Sequence, residues 1–393
     1  MERWLGSSTY TKYIQLFEKV GLIEINPKYK NDGKGTGFTR SFRLTKKFRD
    51  KMDRRDLVVI RRRQDSKNTQ KCVREAVRSL KKESKKHLSS LEVFLKQNFM
   101  DLRFNDKRYK SKTEDIKNSI FSSYEEPKQK WARLFCEVCA IEDNNNYLPE
   151  DSYITHDNHT KRVYSAFIKQ SKQLRPFFEL HGEQLAEIDV SACYAYLLNL
   201  FYTHPAFKSV TDRFSPEQIQ KEQDHYSKPW RTQNVDFYEF LGSLMPSETY
   251  SRAQIKVGFN QKFVTVKHTN KLGDAIKNVF ETNFPILLQI LNHIKKTYIL
   301  DKFGVAGECE QKSAEKLHAQ VAIILMQLES TVMIDKVAQN AMDNHKFIVT
   351  IHDGILVEQT DVDYFQTLIS EEFEKIVGLP PRLKVQLPEC DPC

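Results

Sequence analysis

The chain has 393 residues, 40% of them apolar and 29% charged, with a net charge of +9. That is enough to bury a sizeable core, in two or three domains. No run approaches the ~20 apolar residues of a membrane span and no signal peptide opens the chain. Its seven cysteines then fit a reducing, cytoplasmic setting without a membrane partner.

The first 50 residues predict a helix over 7–21, with apolar Tyr13, Leu16, Phe17 and Val20 at helical spacing. A short strand (LIEIN), a basic Gly/Lys-rich stretch with Lys28, Lys30 and Lys34, and a second strand (FTRSFRLT) with Arg40 follow. That order matches the back half of a winged helix, or a docked hairpin element. From Lys46 to about Glu142 the pattern is helical and basic. Residues 41–110 carry 23 Lys/Arg against 9 Asp/Glu, so a polyanion is the natural partner and a solvated helical spacer the plainer alternative. Two Cys-x-x-Cys pairs, Cys136/Cys139 and Cys390/Cys393, have zinc-ligand spacing, but the first falls in a helical stretch where both thiols fit a core face. Residues 142–152 (EDNNNYLPEDS) read as a linker, giving expected domains at 1–50, 51–150 and 151–393.

Beyond the linker two carboxylates stand out. In LAEIDVSACYAYLLNLF (185–201) a short apolar strand leads to Asp189, and a helix is expected over Ala192 to Leu200. In KFIVTIHDGILVE (346–358) two β-branched runs flank His352-Asp353-Gly354, the pattern of a hairpin whose tip displays one acid; alone it is an ordinary Asp-Gly turn. If acids 164 positions apart meet, the fold holds a divalent cation, and oxygen-only ligation suits Mg²⁺. Between them SRAQIKVGFNQKF (251–263) places Arg252 and Lys256 at i and i+4 on one helix face, with Phe259 continuing it.

These segments, in this order, resemble the palm and fingers of family A DNA polymerases and the related single-subunit RNA polymerases. Asp189-Val190-Ser191 resembles motif A, 251–263 motif B and 347–357 motif C. VDFYEFLGSL (235–244), FETNFP (280–285) and LMQLEST (325–331) resemble the lesser segments between them. The resemblance covers roughly 160–393 and implies an α/β (α+β) right-hand polymerase: an antiparallel palm sheet, helical fingers and a basic, thumb-like or template-guiding N-terminal helical region. It implies that Asp189 and Asp353 hold two Mg²⁺ ions (Mn²⁺ as a substitute), one lowering the pKa of a primer 3′-hydroxyl and the other clamping the triphosphate. Arg252, Lys256, Phe259 and Tyr194 would then bind the nucleotide, with Phe259 under the base. Gln327, His352, Arg162 and Arg175 would meet primer or template; either arginine is equally readable as a surface residue.

Three departures qualify the resemblance. Phe259 lies three residues after Lys256 where the family's aromatic lies four after. Gly354 stands where an acid often follows the His-Asp, as in single-subunit RNA polymerases. Tyr194, five after Asp189, replaces the family's Glu wall against the ribose 2′-hydroxyl and resembles the gate of family B polymerases, or is an ordinary buried helix tyrosine. No upstream acid pair resembles a proofreading exonuclease. The expected activity is a DNA polymerase of a phage, plasmid or other mobile element, acting on DNA primer/template with dNTPs. The alternatives are an RNA polymerase or primase, with RNA or NTPs as partners, and a nucleic-acid-binding replication or defence factor with an inactive palm.

Overall fold

A computed structural model describes residues 23–25, 42–44, 88–123, 126–143, 154–165, 167–233, 235–245, 250–265, 271–297, 300–303 and 317–388. It divides into two compact units, residues 1–86 with 135–145, and residues 87–134 with 146–393. In the first unit the two expected strands are present, β1 (Ile23–Ile25) and β2 (Phe42–Leu44), paired antiparallel with Ile23 opposite Leu44. The helix expected over 7–21, the basic loop, Cys390 and Cys393 lie outside the described residues, as do the side chains of Cys136 and Cys139.

The second unit is a mixed α/β body built on one antiparallel sheet. Helix α1 (Ser90–Asp101) opens on a reciprocal cap, Ser89 bonding the Glu92 amide and Glu92 the Ser89 amide. Strand β3 (Leu102–Phe104) follows, then α2 (Asp106–Ser123) and α3 (Pro127–Asp143), of which the residues from 135 on belong to the first unit. A hairpin of β4 (Ile154–His156) and β5 (Val163–Ser165) precedes β6 (Phe178–Leu180) and the long β7 (Glu183–Val190). The sheet runs β3-β6-β7-β9-β8, where β8 is Val349–Ile351 and β9 is Gly354–Glu358. A further strand, β10 (Leu383–Gln386), pairs with β7. The boundary expected at 150 therefore falls elsewhere: β3 pairs with β6, and the Asn98 side chain donates to the Ile348 carbonyl beside β8. Leu95, Phe99 and Leu102 are buried in the same body as the sheet.

Between β7 and β8 the chain is helical: α4 (Cys193–Leu197), α5 (Pro216–Arg231), α6 (Phe237–Ser243), α7 (Arg252–Phe259), α8 (Lys271–Asn283), α9 (Pro285–Ile294) and α10 (Gln320–Val332). Ala192, expected to start the motif-A helix, instead takes a left-handed φ of 52°, and the helix begins one residue later. Helices α5 to α9 are joined by aromatic rings: Tyr226, Trp230, Phe237, Phe259, Phe263, Phe280 and Phe284 interlock, the closest pair (Phe263 and Phe280) with centroids 4.3 Å apart. Helix α9, apolar almost throughout, starts on Pro285 and takes its N-terminal cap from outside, the buried Glu222 carboxylate accepting from the Ile286 and Leu287 amides at 2.9 Å each. One helical stretch, Leu317–Asp343, is long and apolar enough by composition to cross a membrane, which the sequence reading did not anticipate. It is 61% buried inside the protein, as a core helix is.

Candidate active site

Asp189 is the penultimate residue of β7, and the strand places it opposite Gly354, the first residue of β9. The hairpin of β8 and β9 closes in two residues, His352 and Asp353, with Ile351 opposite Gly354 and His352 at a φ of 56°. A positive φ at that place usually calls for glycine, so the turn holds this histidine in a costly conformation. The Val190 amide donates to the Asp353 carbonyl at 3.0 Å and fixes the acid's backbone to the neighbouring strand. The two acids thus meet across the β7–β9 edge. Gly354 makes that possible: a Cβ there would stand 3.1 Å from the Ile188 carbonyl oxygen and 3.2 Å from Asp189 Oδ1.

Burial pushes the Asp189 carboxyl up to about 6, and the nearby Asp353 adds to the shift while Lys172 and Lys256 oppose it. Burial also raises Asp353, against the pull of its own backbone amide, Lys256, Arg162 and Arg175. A pair of carboxylates that hinder each other's ionisation is short of positive charge. Among the described residues no three His, Cys, Asp or Glu side chains stand together as a metal cluster, so the protein supplies two carboxylates. An all-oxygen set of this kind, completed by water and phosphate, fits Mg²⁺ or Mn²⁺.

Lys256 is exposed on α7, and its charge reaches both acids. Arg252, on the same helix, is engaged elsewhere: its Nη2 donates to Asp236 Oδ2 at 2.6 Å and its guanidinium lies 5.5 Å from the Tyr238 ring centroid. Asp236 also caps α6 through the Tyr238 and Glu239 amides. Phe259 corrects the expectation of a base-stacking ring. It is fully buried, with Phe237, Tyr238, Phe263 and Phe280 around it at 5.4–6.1 Å. The buried stripe of α7 is Ile255, Gly258 and Phe259, turned away from the Lys256 side.

Of the remaining expected residues, Arg162 and Arg175 lie close enough for their charge to reach Asp353. Arg162 is buried and bonds Glu329 at two points, Nε to Oε1 at 2.9 Å and Nη2 to Oε2 at 2.6 Å; Nη2 also donates to the Tyr194 hydroxyl at 2.5 Å. Its Nε and Nη2 are engaged by protein groups, and the side chain is buried, not the surface arginine of the alternative reading. Arg175 donates to Glu187 at 3.2 Å, with Lys172 at 3.7 Å from the same carboxylate, while its Nε has no partner. His352 is held neutral: burial, with Arg162 and Arg175 nearby, lowers its pKa to about 4. Its Nδ1 is buried without a partner and its ring meets Tyr164 edge-on at 5.7 Å. Gln327 donates to the His159 carbonyl at 2.7 Å, leaving its Oε1 unpaired.

The sequence reading passed over Glu329, Glu187, Lys172 and Asp236. Glu329 had a visible signal, a lone acid inside the apolar run VAIILMQLESTVM, where burial demands a cation.

No protein-family model matches this sequence, and no curated protein matches it. Among solved structures, the POL domain of Pol1 from M. smegmatis, in complex with DNA primer-template and dNTP, aligns at a TM-score of 0.43 and 14% identity. The alignment covers 66% of this chain and 51% of that one, so the chain spans about half the length of that structure. At so low a similarity the functional reading stands on the site's own geometry.

Proposed function

We propose that the chain is a template-directed nucleotidyltransferase, a DNA polymerase without a proofreading site, that joins a dNTP to a primer 3′-hydroxyl. The observation that carries this is the meeting of Asp189 and Asp353 where β7 pairs with β9, with Gly354 leaving room for the Asp189 carboxylate. Asp189 and Asp353 would hold the Mg²⁺ ions, which when bound activate the 3′-hydroxyl and neutralise the triphosphate. Lys256, from the facing helix, adds a cation for the same phosphates. Tyr194 stands at the sugar, and the neutral His352 at the primer end.

In this reading the sheet is the palm, α5 to α9 the fingers, and α2 with α3 a thumb-like pair. The duplex runs along the sheet face that carries Asp189. Leu185 and Glu187 alternate onto that same face and line a cavity of about 360 Å³ between the sheet and α2, together with Arg108, Lys112 and Arg175.

The test is incorporation of one dNTP on a primed template in Mg²⁺. Asp189→Asn and Asp353→Asn should each lower turnover by at least a thousandfold while binding of primed template stays within a few fold. Near-normal turnover by either variant would reject the assignment.

A further inference from the structure

Glu329 is a buried acid, 1% exposed, in the middle of the apolar helix α10, and the reading above gives it no role. Among the described residues its hydrogen-bond partner is Arg162, and the way Arg162 is held makes the pair a rigid unit. The β4–β5 turn is fixed by Asp157, whose carboxylate accepts from the His159 and Thr160 amides and from the Thr160 hydroxyl, while the Asp157 amide donates to the Arg162 carbonyl at 2.9 Å. Helix α10 grips the same turn a second time, two residues before Glu329, through Gln327 and the His159 carbonyl. The guanidinium therefore has little freedom, and its remaining contact is Tyr194: Nη2 donates to the hydroxyl, and the charge lies 5.8 Å from the ring centroid. Tyr194 sits on α4, five residues after Asp189, and is half-buried. Three segments far apart in sequence thus converge on one phenol beside the acids.

We propose that Glu329, acting through Arg162, is the positioning residue for Tyr194 and so sets how strictly the site separates deoxyribose from ribose. The inference rests on the polymerase reading. A ring excludes a 2′-hydroxyl by overlap, and exclusion by overlap is lost when the ring shifts by a fraction of the hydroxyl's own size. A charge-assisted bond from a guanidinium that is itself pinned by a two-point carboxylate contact holds the phenol far more narrowly than packing at a half-buried position does. Removing the Glu329 charge frees Arg162 to turn toward Asp353, whose carboxylate already feels it. The phenol then loses its anchor.

The experiment measures kcat/KM for a dNTP and the matching NTP on a primed template. The proteins are the wild type, Glu329→Gln, Tyr194→Phe and the double variant, with melting curves on each. Glu329→Gln should lower the dNTP/NTP preference at least tenfold, mainly through a gain for the NTP. Tyr194→Phe, which removes the hydroxyl but keeps the ring, should lower it similarly. In the Tyr194→Phe background Glu329→Gln should add nothing, because the bond through which it acts is already gone. A merely structural acid would instead give effects that multiply. If Glu329→Gln does not fold, the doubly neutral Arg162→Met/Glu329→Met pair, which leaves no lone buried charge, should show the same loss of preference. An unchanged preference in a folded variant, or a wild type that takes both sugars equally, refutes the inference alone. A wild type that incorporates neither sugar removes the polymerase reading and this inference with it.

Discussion

Gly354→Ala tests the site with a single methyl group. The added carbon would lie 3.1 Å from the Ile188 carbonyl oxygen, 3.2 Å from Asp189 Oδ1 and 3.6 Å from Asp189 Cα. The carbonyl belongs to β7, which is paired with β9 on one side and β10 on the other, so it cannot retreat cheaply. The Asp189 carboxylate is the softer neighbour and must move by a few tenths of an ångström. Overpacking by one methyl costs on the order of 1–3 kcal/mol of stability, which in a protein this size lowers Tm by only a few degrees. Catalysis should suffer more, because a misplacement approaching 1 Å in a reacting group can cost roughly a hundredfold; the expected loss in kcat is about ten- to hundredfold. The assay is single-nucleotide incorporation at saturating dNTP, read beside a melting curve. Gly378→Ala is the control. Gly378 ends the helix α11 (Val362–Val377) at a φ of 81° with nothing within 4 Å of a Cβ, so its substitution adds backbone strain of about 1–2 kcal/mol without crowding the acids. Wild-type kcat in Gly354→Ala, with Tm lowered as in the control, would mean that the Asp189–Asp353 spacing does not govern turnover.

Three further outcomes follow from charges elsewhere. Arg162→Met alone strands a carboxylate that is 1% exposed and should cost about 3–5 kcal/mol in denaturant unfolding, whereas Arg162→Met/Glu329→Met should recover most of that loss. Lys295 is half-buried, donating to the Lys262 carbonyl, and burial lowers its pKa to about 8, with Lys262 adding to the effect. Between pH ~8 and the ~10.4 of an unfolded lysine the unfolded chain binds the extra proton, so stability should rise with pH across that window; Lys295→Met should flatten the rise in pH-dependent unfolding. Residues 41–86 carry 18 Lys/Arg against 6 Asp/Glu. Binding of primed template should weaken steeply with salt, and deletion of residues 1–86 should make the log–log slope shallower, because each lost phosphate contact retains its counterions. An unchanged slope would place the contacts on the other unit.

The acid pair was legible because each half is locally encoded. Asp189 ends a short apolar strand and Asp353 sits between two β-branched runs, so sequence alone puts both at strand ends. That β7 lies next to β9, with Asp189 opposite Gly354, required the sheet. Phe259 was misread for a geometric reason. Its spacing from Arg252 and Lys256 suggested a shared face, but Ile255 and Phe259, four apart, form the apolar stripe. The aromatic packing among Phe237, Phe263 and Phe280 then outweighs any exposed use of the ring. The domain boundary was misplaced because basic composition dominated the reading of 51–150. The reciprocal cap at Ser89 and Glu92 was in plain view and marks where a new, core-forming segment begins.

Arg162 shows what charge alone does not reveal. Read one residue at a time, an arginine upstream of motif A invites a phosphate contact, as for Arg162 and Arg175, and the resemblance to motif B gave Arg252 to the triphosphate. In the structure all three face carboxylates: Glu329, Asp236 and Glu187. Each of those acids lies 12 to 167 positions away, in or just before an apolar segment, where an unpaired charge would be costly. The acids therefore carry more information than the cations do. A basic residue has many tolerable places on the surface, whereas an acid inside VAIILMQLESTVM has one, beside a buried cation. Lys256 is exposed on α7, unlike Arg162 and Arg175, and unlike Arg252 its field reaches both Asp189 and Asp353, so it is the cation the proposed chemistry would use.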